Sequence, residues 1–404
     1  MPLTISNVCR NITPSTTLRL NAMVIEKRAQ GLDIISLGTG EPDFPTPPHI
    51  CDAAKRAIDN GKTKYTAVEG VPDLRKAVAD HLANTKGLRH APSEVLIGTG
   101  AKQVLMEALH AVLDPGDEVI LPAPCWLSYP EMVRMAGGVP VVVTSSAAEG
   151  FMPAASSIAA AVTPRTKAII LNTPNNPTGA VWGRDLLKAV GDIAVQHDFY
   201  IISDEIYETL IYGEAMHVPV ATLSDDIFRR TITVSGFSKA YAMTGWRLGY
   251  ASGPRDVIAA MAAYQSHATG NTSSIVQYAG LEAITASQQS VQDMRAAFER
   301  RRNMMVQMVA NIPGVTCAEP NGAFYVLLNI SSLLGATCSG AVIDNDTTFA
   351  ELLLEHALVS VVPGEPFYAP GCVRLTYALA DDRAAEAMRR IAAFVKSLDM
   401  SAAS

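Results

Sequence analysis

The sequence contains no Cys-x-x-Cys pair, no long basic block, and no apolar run near the roughly 20 residues of a membrane-spanning helix. The six cysteines (Cys9, Cys51, Cys125, Cys317, Cys338 and Cys372) are scattered. That spacing reads as reduced thiols in a cytoplasmic protein, with neither a disulfide framework nor a metal site. Charge is sparse: 18% of residues are charged, and acids outnumber bases to leave a net charge of −7. Nucleic acid and anionic membrane are therefore poor partners. The opening MPLTISNVCRNITP has no basic start followed by an apolar stretch, so no signal peptide is expected. Two phosphate-loop patterns are also missing. Gly98-Thr-Gly-Ala-Lys-Gln has Gln103 where G-x-G-x-x-G needs glycine, and it lacks the spacing of a Walker A loop. A nicotinamide-dependent dehydrogenase is disfavoured on that ground.

What is present is a large reserve of core. With 404 residues, 49% of them hydrophobic, the chain has material for two domains. From Glu94 onward, apolar strand-like stretches alternate with helical ones. The strands are Val95–Ile97, Val119–Leu121, Val139–Thr144, Ala168–Asn172, Tyr200–Ser203, Thr231–Val234 and a last one starting at Arg247 and ending at Ala251. Such alternation predicts an α/β fold, with a mostly parallel seven-stranded sheet covered by helices and ligands at the carboxyl ends of its strands. Residues 254–312 read as almost wholly helical, with few breakers apart from Gly270 and Gly280, as suits a helix joining two domains. The remainder has strand patterns at Ala323–Leu328, Val359–Val362 and Val373–Tyr377 and a closing helix over Asp381–Leu398, which predicts a smaller α+β domain.

The chain is organised around Thr231–Gly253, TITVSGFSKAYAMTGWRLGYASG. A β-branched run ends at Ser235-Gly236, and Lys239 follows. Most lysines after a strand sit on the surface. One held at the mouth of a buried strand sheds its proton easily and becomes a nucleophilic amine. The constrained positions Gly236-Phe237-Ser238-Lys239, Ala242-Met243, Gly245 and Arg247-Leu248-Gly249 resemble the lysine signature of class I and II aminotransferases, which bind pyridoxal 5′-phosphate. Further motifs follow in that family's order, and the resemblance runs from about Pro14 to Val395.

The resemblance implies a role for each motif. Lys239 is the lysine that links to the cofactor and moves the substrate proton. Gly100, Ala101 and Lys102 form the phosphate cradle at a helix start, where free amides bind anions. Arg247 and a serine add a guanidinium fork and a hydroxyl; Ser238 matches, with Ser235 left open. Trp126 stacks on the pyridine ring. Asn176, in Asn176-Pro-Thr-Gly, bonds the ring oxygen and helps hold the substrate carboxylate, and Tyr207 donates to the same oxygen. Asp204, just past a strand, is a carboxylate that needs a cation; the resemblance supplies one in the protonated ring nitrogen. Gly40 and Arg374 match the groups that take the substrate α-carboxylate. Tyr65 matches a tyrosine that reaches the phosphate of a partner subunit, which implies a homodimer.

The implied division is an N-terminal arm with part of the small domain over 1–48, a large cofactor-binding domain over 49–295 and a small domain over 296–404. The implied reaction is transamination, with aspartate favoured and 2-oxoglutarate as acceptor. Aromatic or broad specificity is the alternative, followed by carbon–sulfur lysis on the same fold. A dicarboxylate needs a second cation, for which His110 and Lys102 are candidates. A ligand-sensing regulator on this fold would need an N-terminal DNA-binding domain, and the stretch before Leu32 is short for one.

Overall fold

The structure is a computed structural model, described here for residues 5–10, 12 and 16–401. Its largest sheet has seven strands, in the order Val95–Gly98, Gly249–Ser252, Thr231–Gly236, Tyr200–Asp204, Thr166–Asn172, Glu118–Pro122, Val139–Val143. All run one way except Gly249–Ser252, which is antiparallel to both neighbours. The central strands carry apolar residues on both faces. Ile170 and Ile202 pack with Val104, Leu105 and Leu109 of the helix Ala101–Val112. Ile169, Leu171 and Ile201 pack oppositely, against Leu187, Val190 and Ala194 of Arg184–His197. A strand covered on both sides has no polar face to display, which is why its sequence shows an unbroken apolar run.

A smaller antiparallel sheet orders Val362–Pro363, Cys372–Thr376, Tyr325–Asn329 and Thr316–Cys317. It packs with the helices Gln289–Val309, Asp346–Ala357 and Asp381–Ser397 in a second core around Phe298, Phe324, Phe349 and Ile391. The N-terminal segment joins this side: Ile35–Ser36 pairs in parallel with Val359–Ser360, and the Thr376 amide donates to the Leu37 carbonyl at 2.8 Å.

Three expectations are corrected. Residues 254–312 are three helices, Arg255–Ala268, Ser274–Thr285 and Gln289–Val309. Gly270 does mark the first break, at φ +71°, but Gly280 lies inside a helix. A Cβ there would come within 2.2 Å of Leu248 Cδ2, so this glycine serves close packing and breaks nothing. The predicted strand over Val359–Val362 is divided between two sheets at Val361. Finally, the last large-sheet strand begins at Gly249, because Arg247 sits at φ +58°, a left-handed turn incompatible with a strand.

Candidate active site

The motif residues converge where the strands end. Asn172 and Asp204 close their strands, Gly98 leads into Gly100, Pro122 into Trp126, and Gly236 into Lys239. Together with residues from the small sheet they enclose a cavity of about 350 Å³. Of the expected site residues, Gly40, Ala101, Lys102, Trp126, Asn176, Asp204, Tyr207, Ser238, Lys239, Arg247 and Arg374 all line it. Gly100 abuts it, just before the helix.

Lys239 is half-buried on the cavity wall. Its Nζ donates to the Gly40 carbonyl at 2.5 Å and lies 5.7 Å from the Phe324 ring centre. Burial lowers its pKa to about 8, with Glu41 and Asp204 pulling upward and Arg247 and Arg374 pushing further down. An amine so placed is partly unprotonated near neutral pH.

Asp204 is 3% exposed. Its Oδ2 accepts from the Tyr129 hydroxyl at 2.7 Å and its Oδ1 from the Ile206 amide at 3.2 Å. Burial raises its pKa to about 6, against those two hydrogen bonds, which lower it. Among the described residues it has no ion-pair partner, so a cationic ligand atom suits it.

Arg374 lies opposite, on the small sheet, and is 3% exposed. Nη1 donates to Asn176 Oδ1 at 2.9 Å and Nη2 to the Gly38 carbonyl at 2.8 Å, while Nε has no partner. The guanidinium faces the rings of Tyr325 and Phe367, at 4.4 and 5.0 Å. A buried guanidinium with no carboxylate beside it among the described residues is a ready site for an incoming one.

The expected phosphate cradle is compact. Gly100, at φ +82°, precedes the helix Ala101–Val112; a Cβ there would lie 2.5 Å from Arg247 Nη2. Gly249 has no room either: its Cβ would meet the Ala101 amide nitrogen at 2.4 Å. Two glycines thus bring the Arg247 fork and the helix N-terminus together, a donor set that fits a phosphate. Ser238 faces this cavity. The Ser235 hydroxyl instead turns toward the Glu205 carbonyl and Glu208, at 3.4 and 3.3 Å, on the other side of the strand end. That separates the two serines left open by the sequence.

One placement differs from expectation. His110 stacks on Tyr264 at 4.5 Å and does not line the cavity, because it lies at the far end of its helix; it is withdrawn as a second cation. The Lys102 ammonium does lie in the cavity, 4.7 Å over the Trp126 ring and 3.5 Å from Ser128 Oγ. Burial, then Arg247, lowers its pKa. Tyr65 is 97% exposed and lies outside the cavity of its own chain. The Tyr207 hydroxyl shares a 3.0 Å hydrogen bond with that of Tyr325.

Three residues were not foreseen. Tyr129 binds Asp204. Tyr325 backs Arg374 and Tyr207. Asn172 ties the site together, its Nδ2 donating to the Asp204 carbonyl at 3.0 Å while its Oδ1 accepts from the Asn176 amide at 2.9 Å. Only the position of Asn172 at a strand end carried any signal.

The model of "Aminotransferase class I and II" matches residues 32–391. The chain belongs to this family. It is an aminotransferase, an enzyme that moves an amino group between an amino acid and a 2-oxo acid. The aspartate/prephenate aminotransferase of Cereibacter sphaeroides is 46% identical, covering 98% of this chain and 99% of that one. The aspartate aminotransferase of Geobacillus stearothermophilus is 45% identical, covering 96% and 98%. Among solved structures, the Rhizobium meliloti aspartate aminotransferase superposes with TM-score 0.95 at 40% identity, covering 98% of this aminotransferase and all of its own chain (100%). The Thermus thermophilus aspartate aminotransferase, solved with maleate, gives 0.92 at 44%, covering 97% and 100%.

Proposed function

We propose that this aminotransferase uses pyridoxal 5′-phosphate to exchange the amino group of aspartate with a 2-oxo acid such as 2-oxoglutarate. The observation that carries the reading is the pairing, across one cavity, of an amine with lowered pKa and a buried guanidinium lacking an acidic partner. The residues fit the cofactor. Gly100, Ala101, Lys102, Ser238 and Arg247 would hold its phosphate, Asp204 its ring nitrogen, Asn176 and Tyr207 its ring oxygen, and Trp126 its ring face. When bound, the cofactor supplies an electron-withdrawing ring that accommodates the charge left as the substrate loses its α-proton.

The protein supplies the rest. Arg374 takes the α-carboxylate by its fork, with Asn176 and the Gly40 segment completing the grip. That fixes the α-carbon near Lys239, whose amine takes up the α-proton and returns it. Arg374 belongs to the small sheet and Lys239 to the large one. A carboxylate held between them draws the two sides together and excludes water.

Lys102 is our choice of selector: its ammonium has no carboxylate partner among the described residues and lies beside Trp126. Relatives named aspartate aminotransferase, and one solved with the dicarboxylate maleate, support aspartate. A broader specificity that includes a larger acid is the second reading. It rests on relatives named aspartate/prephenate aminotransferase and on apolar lining from Leu105, Trp126 and Leu127. Carbon–sulfur lysis would show itself as pyruvate from a cysteine conjugate.

We infer a homodimer in which Tyr65 completes the phosphate site of a second copy. We also keep the three-part division at 48/49 and 295/296. A cytoplasmic setting suits the six unpaired cysteines; no helix among the described residues is long and apolar enough to cross a membrane.

The deciding experiment is a half-reaction screen. Cofactor-loaded protein is mixed with each amino acid while the visible cofactor band is followed, with Lys239→Ala as control. Rapid loss of the band with aspartate is expected. Protein that acquires no band on addition of pyridoxal phosphate would remove the proposal.

A further inference from the structure

Tyr129 is two per cent exposed and opens the helix Ser128–Met135. Its hydroxyl has one partner among the described residues, Asp204 Oδ2, at 2.7 Å. The ring is fixed edge-on by Trp126, with centroids 5.4 Å apart and planes at 89°. One short turn thus provides both an aromatic wall of the cavity and a donor aimed at the Asp204 carboxylate that lines it. We propose that Tyr129 is a positioning residue: its hydroxyl holds the Asp204 carboxylate in place, and in its charged form, for the cofactor's ring nitrogen.

The geometry leaves Tyr129 little else to do. It is enclosed, so it cannot turn to water, and a buried hydroxyl needs an acceptor. Burial, then the adjacent Asp204 charge, raises its pKa well above the ordinary value, so it stays protonated and donating. A neutral O–H bonded to a carboxylate favours the charged form. Burial favours the neutral one, and the Glu205 charge next along the chain acts in the same direction. Lys239 acts with Tyr129 and the Ile206 amide to keep Asp204 ionised. Tyr207 and Cys125 are the other titratable side chains nearby, and burial holds both neutral. The bond from Tyr129 is therefore one of three restraints against protonation, and among the described residues the only hydrogen bond on Oδ2.

The inference rests on the pyridoxal phosphate reading, so its test has an arm independent of the cofactor. In the first arm, uptake of pyridoxal phosphate by full-length protein is followed by absorbance between pH 5 and 9. Wild type loses affinity as pH falls through the Asp204 ionisation; Tyr129→Phe is expected to lose it about one pH unit higher. Tyr129→His, which restores a donor, moves the midpoint back toward wild type and serves if Y129F folds poorly. In the second arm, the infrared carboxyl band that Asp204→Asn abolishes is titrated in cofactor-free protein. It is expected to disappear at higher pH in Y129F than in wild type. Coincident midpoints in wild type and Y129F would overturn the role of Tyr129. Failure of wild type to take up cofactor would instead overturn the cofactor reading, and the infrared titration alone would decide Tyr129.

Discussion

Arg374 and Asn176 are 198 residues apart in sequence and share a 2.9 Å hydrogen bond, Nη1 to Oδ1, at the floor of the cavity. One comes from the small sheet and the other from the loop after Thr166–Asn172. The bond aims the guanidinium and leaves its Nε unpartnered. Replacing Arg374 by lysine keeps the charge but loses the planar fork. The expected result is a fall in kcat/KM for aspartate of roughly 30-fold or more, as loss of a buried charged hydrogen-bond partner costs about 2–5 kcal/mol. Steady-state kinetics with aspartate and 2-oxoglutarate check this, and cofactor absorbance should be unchanged.

Lys239 sets a pH dependence whose sign is fixed. Its folded-state pKa is lowered to about 8, below the ordinary 10.5, chiefly by burial. Above that value the amine is free to attack; below it the fraction of free amine falls about tenfold per pH unit. The rate of cofactor uptake should therefore rise from pH 6 to 8 and level off above. Lys239→Ala should show no covalent band at any pH, with transamination lowered by at least ~10²-fold, the low end for losing a positioned proton carrier.

Lys102 is expected to select for a second carboxylate. Lys102→Met keeps the backbone amide of the cradle and removes only the ammonium over Trp126. The predicted outcome is a drop of about tenfold or more in kcat/KM for aspartate, the scale of one charged hydrogen bond, with little change for phenylalanine. Equal losses for both amino acids would assign the ammonium to the cofactor instead.

The proposed shared-site homodimer can be tested by complementation. Tyr65→Ala and Lys239→Ala should each be nearly inactive. A hybrid of the two chains carries one site with both lesions and one with neither. Mixing after mild dissociation should restore activity above that of either parent. A full-activity monomer by light scattering would oppose this arrangement.

Two glycines test the packing. Gly280→Ala puts a methyl against Leu248 Cδ2, which can rotate away, so the cost should be about 1–3 kcal/mol in thermal or urea unfolding. Gly249→Ala meets the backbone of Gly100 and Ala101, which cannot yield without moving the helix start. It should cost more and also weaken cofactor binding.

The fold was legible because both kinds of evidence it leaves are local. Apolar runs such as Ala168–Asn172 and Tyr200–Ser203 mark strands buried on both faces, and the intervening helical stretches fix the alternation. Lys239, Asn176, Asp204 and Arg374 were legible through motifs, since each stands beside companions with a fixed spacing. Tyr129 and Asn172 were not. Their roles exist only because Glu118–Pro122, Thr166–Asn172 and Tyr200–Asp204 lie side by side in the sheet, and strand order is not written in any one segment. His110, offered as a second cation, lies about two turns of helix beyond Lys102 and stacks on Tyr264 instead. Gly280 was misjudged because the same residue type serves turns and close contacts alike.

The Gly38–Gly40 bend is pinned at both ends, by Arg374 at the Gly38 carbonyl and by Lys239 at the Gly40 carbonyl. Farther on, Thr244 grips Glu41, and the Trp246 indole and the Ala242 carbonyl meet the Thr46 hydroxyl. A carboxylate that takes the Arg374 fork competes with the Gly38 carbonyl, and freeing the Lys239 amine for chemistry releases the Gly40 carbonyl. The first two fastenings thus share their donors with whatever fills the pocket, whereas those at Glu41 and Thr46 do not. The bend is therefore fastened toward Glu41 by groups outside the cavity wall's two cations, and toward the small sheet only by a group the site itself uses.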